Sequence, residues 1–209
     1  MFRRITGISF TLLLAFGILF ASIFRTAQIK YSFVGPKPLL ASDSNLQNIE
    51  VDYQLPSVGR VLPDSLFWPF KAAYDRVRFL VTAPSLDKAK LSLFYADQRL
   101  SAAKILFEKD KADLGFSTLT KAEKYLEQAS NLEKKARGEG SDTSFFLTTM
   151  AQASLKHRAT LEEISQSAPD DAKAQIIKIQ DYSKAVFKEI SETLISKDMH
   201  LPENPFSGG

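Results

Sequence analysis

Residues 85–109 read SLDKAKLSLFYADQRLSAAKILFEK. Within them Leu86, Leu93, Leu100 and Phe107 recur every seven residues, and Ala89, Ala96 and Ala103 repeat at the same interval between them. A seven-residue repeat that alternates large apolar side chains with alanine is the seam of a helix packed on other helices. Alanine lets a neighbouring backbone approach closely, which predicts a central place for this helix.

The pattern continues on both sides. Residues 112–137 carry Leu119 and Leu126 with Ala122, Ala129 and Ala136, and they end at Gly138-Glu139-Gly140. Ser141 or Asp142 is then placed to cap a helix over 143–167, which aligns Phe146, Met150, Ala153, His157, Thr160, Leu161 and Ile164 on one face. Pro169 marks the junction to a helix over 170–196 with Ala172, Ile176, Ile179, Val186, Ile190 and Leu194. Upstream, residues 64–81 repeat Leu66, Phe70, Ala73, Tyr74, Val77 and Leu80 or Val81, with Asp64 or Ser65 as the cap and Pro69 in the first turns. Strand patterns are nearly absent. The fold class is all-α: an antiparallel bundle of four to five helices over residues 64–196, followed by a mobile tail over 197–209.

Ahead of the bundle, residues 25–63 read as a linker. They contain Gly35, Pro36, Pro38, Pro56, Gly59 and Pro63. Val51, Tyr53, Leu55, Val58, Val61 and Leu62 predict an extended piece docked on the domain. From Ile5 to Phe24 the chain carries no charge. Twenty residues at about 1.5 Å each match a hydrocarbon core of roughly 30 Å, so this run is expected to span a lipid bilayer once, as an N-terminal transmembrane helix that anchors the chain. A cleaved signal peptide is the rival, but small residues at alternate positions are lacking around Ala21 and Ala27. Arg3 and Arg4 are balanced by Arg25, Lys30 and Lys37 on the other flank. With a tail of only residues 1–4, the amino terminus is expected in the cytoplasm and the bundle outside it.

Composition narrows the function. Without cysteine, the chain has no disulfide scaffold, thiolate metal site or cysteine nucleophile. The net charge is +3, and removing Arg3 and Arg4 leaves 25 basic against 24 acidic residues. A nearly neutral body argues against a nucleic-acid partner.

The string Tyr53-Gln-Leu-Pro-Ser-Val-Gly59, followed by Leu62-Pro63-Asp64-Ser65-Leu66-Phe67, has the form of a family motif. With Phe70-Lys71, Leu80-Val-Thr82, Lys88-Ala89 and Ala96-Asp97-Gln-Arg99-Leu100, it resembles an uncharacterised bacterial family, domain of unknown function 5667. The likeness covers roughly residues 50–165, including Lys121-Ala-Glu-Lys-Tyr-Leu126 and the helix of Lys156-His157. It departs at Val58, where proline is not kept, and at Phe67-Trp68-Pro69. The resemblance implies a membrane-anchored helical domain of the cell envelope, exposed outside the cytoplasm, and supplies no enzymatic activity.

No catalytic constellation emerges from the residues themselves. Ser85-Leu-Asp-Lys88 has the S-x-x-K form of acyl-transfer enzymes, but no S-D-N or K-T-G follows, and Pro84-Ser85 is better read as a helix start. Glu162-Glu163 and Asp170-Asp171 are adjacent pairs whose side chains diverge on a helix, unsuited to acting together on a substrate. His157, seven residues from Met150 and Ile164, reads as a seam histidine packed or hydrogen-bonded inside the bundle. No cofactor or metal is expected. Phe67-Trp68-Pro69-Phe70 is the densest aromatic cluster. It reads first as a staple of the first helix to the bundle, and second as a ligand or membrane-interface patch. Phe67, Trp68, Phe70 and His157 are thus the candidate interaction residues. The expected role is non-enzymatic, through contact with a protein partner or self-association. A ligand-binding, stress-sensing or chaperone-like module is the alternative.

Overall fold

The computed structural model describes residues 14, 18, 31–33, 49–59 and 61–207. Among them are five long helices and no strand: α1 Trp68–Val81, α2 Ser85–Glu108, α3 Ala112–Gly138, α4 Ser144–Ser167 and α5 Asp170–Ser196. No helix among the described residues is long and apolar enough to cross a membrane. The expected membrane segment from Ile5 to Phe24 lies outside the described residues, apart from Leu14 and Ile18, which are helical and exposed.

The seven-residue seams form the core. Ala89, Ala96, Ala103 and Leu100 on α2, and Leu119, Leu126, Ala122, Ala129 and Ala136 on α3, are fully buried. The hairpin α2–α3 is the closest pairing, and α4–α5 is the second hairpin. The two hairpins stack so that α2 lies beside α4, and α3 beside α5. One core cluster joins Leu93 of α2, Leu126 of α3, Met150 of α4 and Ile190 of α5. The other joins Leu100, Leu119, Leu161 and Ile176. Helices consecutive in the chain are therefore antiparallel, whereas α2 with α4 and α3 with α5 run parallel. Chain neighbours oppose one another, as the short connections predict.

Three helices end in the same way. At α3 the Gly140 N–H reaches the Arg137 carbonyl and the Ser141 N–H reaches Ala136, with Gly140 left-handed at φ 85°. Asp110 after α2 and Asp198 after α5 take the same position, at φ 58° and 55°. This paired arrangement satisfies the last carbonyls of a helix and favours glycine at its left-handed residue.

At α1 the local reading needs correction. The helix starts at Trp68, and neither Asp64 nor Ser65 caps it, because residues 64–67 form turns instead. Asp64 is drawn to the α2–α3 turn, where Lys111 Nζ lies 2.6 Å and Lys109 Nζ 3.7 Å from its carboxylate. Among the described helices, α1 packs only on α2.

Residues 49–59 run extended against the bundle, with Val51 and Val58 buried. Tyr31 and Phe33 sit against Phe116, and the Phe33 N–H donates to Asp113 Oδ1 at 2.8 Å. The tail, expected to be mobile, runs back along the bundle. Met199 and Leu201 pack on the first cluster, and the Arg158 guanidinium lies 3.8 Å above the Phe206 ring.

Candidate functional site

Three helices and the extended segment meet at His157. The seam places this α4 residue at the bundle centre, where it is fully buried. Its Nδ1 lies 2.6 Å from Glu123 Oε1 of α3, and its Nε2 lies 3.0 Å from Asp97 Oδ1 of α2. The Tyr53 hydroxyl donates to the other Asp97 oxygen at 2.6 Å. Ionised carboxylates only accept, so an imidazolium with a proton on each nitrogen satisfies both contacts. Burial alone pulls the imidazole pKa down. The Glu123 charge and the hydrogen bonds to Asp97 and Glu123 outweigh it, and the result is raised to about 9. For Tyr53, burial and the neighbouring Asp97 charge both hold the phenol protonated.

This geometry ties α2, α3, α4 and the extended segment together. A buried ring with both nitrogens engaged presents no free lone pair to a substrate, and the two carboxylates sit on opposite edges of the ring. They cannot share one ion with it. Among the described residues no group of three or more His, Asp or Glu side chains converges as a metal site.

A second polar cluster docks α1. Asp75 is 6% exposed, and Lys71 Nζ bridges Asp75 Oδ2 at 2.8 Å and Gln98 Oε1 at 2.9 Å. Arg99 of α2 approaches Asp75 at 4.0 Å, with its guanidinium 4.4 Å from the Tyr125 ring centre and 6.0 Å from that of Trp68. The Tyr95 hydroxyl donates to the Asp75 carbonyl at 3.1 Å, and burial, then the Asp75 charge, pushes its phenol up to about 12. Helix α1 thus turns Lys71 and Asp75 inward. Its apolar stripe faces out: Phe67 is 65% exposed, Phe70 63%, Tyr74 65% and Val81 74%.

The four candidate residues therefore fall in different places. Phe67 and Phe70 lie on the outward stripe, Trp68 is half-buried beside Lys71 and Arg99, and His157 belongs to the core. Among the described helices α1 touches only α2, whereas His157 lies at the bundle centre, so the aromatic cluster and His157 do not form one site. The pairing of His157 with Asp97 and Glu123, and of Asp97 with Tyr53, escaped the sequence reading. A signal was present: Asp97 and Glu123 each directly follow a seam alanine, Ala96 and Ala122.

A cleft of about 330 Å³ opens between α3 and α5, lined by Glu127, Ser130, Asp181, Tyr182 and Glu189 among others. Glu127, Asp181 and Glu189 supply carboxylates to its lining, and Ala185 and Val186 supply apolar surface.

A family model described as a domain of unknown function (DUF5667) matches residues 60–171, just over half of the chain. No curated protein and no solved structure matches it.

Proposed function

The chain belongs to the family of domain of unknown function 5667, and from that premise we propose a non-enzymatic, membrane-anchored contact protein of the cell envelope. In this reading residues 5–24 hold the chain in the bilayer, and the bundle lies outside the cytoplasm. The observation that carries it is the outward apolar stripe of α1, from Phe67 through Phe70, Tyr74 and Val77 to Val81. The buried charges of the bundle are taken up in holding its own helices together, so its conspicuous surface feature is a contact face rather than a reactive cleft. A contiguous exposed apolar face of this kind marks an interaction surface. Support for the anchor comes from the uncharged run Ile5 to Phe24, and from Leu14 and Ile18 being helical and exposed.

Cysteine probes test the reading without background, because the chain has no cysteine of its own. A membrane-impermeant maleimide added to intact cells should label Phe145→Cys, at an 86% exposed position, and spare Arg4→Cys. Labelling of Arg4→Cys alone reverses the topology. Recovery of the chain in the soluble fraction removes the anchor. A chain that yields no crosslink to any neighbour in cells, protein or lipid, removes the contact role.

A further inference from the structure

We propose that the outward face of α1 seats on an anionic lipid surface, with the bundle lying on its α1 side against the membrane that holds the chain. The inference rests on the anchored reading above and names what covers the stripe.

Charge selects the occupant. Helix α1 carries Arg76 and Arg78 exposed beside the stripe. Its one acid, Asp75, is turned inward and engaged by Lys71. The exposed part of α1 is therefore apolar and cationic, with no carboxylate. An amphipathic helix of that composition lies in the headgroup plane, its apolar side sunk about 5–10 Å toward the acyl chains and its basic residues drawn by anionic lipid. The aromatic side chains Phe67, Phe70 and Tyr74 suit that interfacial depth. A second copy fits less well. Stripe-to-stripe pairing about a two-fold axis sets Arg76 and Arg78 of each copy near those of the other, with no free α1 acid to answer them.

Chain length agrees. Only residues 25–30 separate the uncharged run from Tyr31, which is packed on Phe116. Six residues span at most roughly 20 Å. That keeps the α2–α3 end of the bundle near the bilayer. Asp64, just ahead of α1, is held at this same end by Lys109 and Lys111.

The test uses the full chain carrying Val77→Cys labelled with a polarity-sensitive fluorophore, in vesicles of phosphatidylcholine with or without phosphatidylglycerol. With phosphatidylglycerol, the emission should shift to the blue and be quenched by nitroxide-labelled lipid, and added salt should weaken both effects. A probe at Phe145→Cys should stay aqueous throughout. Arg76→Gln and Arg78→Gln should each shift the seated population about fivefold toward the unseated one. A Val77 probe as aqueous as the Phe145 probe in phosphatidylglycerol vesicles overturns the proposal. So does a dry probe that follows protein density rather than lipid charge, the signature of a second copy. Flotation separates the two readings: a chain that floats with vesicles while its Val77 probe stays wet defeats the seating alone, and a chain that does not float defeats the anchor as well.

Discussion

Removing the His157 imidazole leaves Asp97 and Glu123 buried without the cation between them. Truncating one partner of such a cluster costs about 3–5 kcal/mol, so His157→Ala should lower unfolding stability by that order in denaturant titrations. The pH dependence follows from the same contacts. The folded pKa is raised to about 9 from an ordinary 6.5. The contribution of His157 is therefore complete below about pH 6.5. Between that value and about 9 the folded state holds a proton that the unfolded state has released, so stability falls as pH rises through this window. Denaturant titrations across the window should show the decline in the native chain and a flatter profile in His157→Gln. Gly115 makes a different kind of demand. A Cβ there would lie 2.8 Å from the Phe107 ring, inside the core where α2 and α3 meet. Gly115→Ala should cost about 1–3 kcal/mol through overpacking, although alanine is the better helix former. A melting temperature that is unchanged or raised would contradict this.

At the level of helices, the ends offer a matched pair of substitutions. Gly140 occupies a left-handed position after α3, and Asp198 occupies its equivalent after α5. Gly140→Ala should destabilise by about 1 kcal/mol, and Asp198→Gly should stabilise by roughly 0.5–1 kcal/mol, both read as shifts in the denaturation midpoint. The helices themselves were legible because the Leu/Ala repeats of α2 and α3 leave one solution for which side is buried. For α1 the same logic misled. Periodicity tells which residues share a side, not what covers it. Leu66, Phe70, Tyr74 and Val77 form as regular a stripe facing solvent as they would facing a core. What turned α1 over is Asp75, whose partners Arg99 and Tyr95 lie more than one helix turn of sequence away on another helix. The same distance hid the partners of His157, which its own spacing from Met150 and Ile164 could place in the core but not pair.

Across the whole molecule, the attachment of α1 is slight compared with that of the two hairpins. Among the described helices it contacts α2 alone, and it buries few apolar side chains. Local opening should therefore release it without unfolding the rest. In lipid-free hydrogen exchange, α1 amides should be protected about tenfold or more below those in the middle of α2 and α3. Equal protection would mean that α1 is part of the cooperative core. The His157 cluster also has a meaning for the molecule as a whole, one of alignment. Repeats of leucine and alanine look much the same after a shift of seven residues, about 10 Å, so apolar packing alone is nearly indifferent to sliding one hairpin along the other. Moving α4 by one repeat would put Met150 or Ile164 where His157 now stands. Asp97 and Glu123 would then face an apolar side chain instead of a cation. The one histidine of the bundle thus acts as an index pin: it marks the single offset at which the two hairpins are allowed to meet.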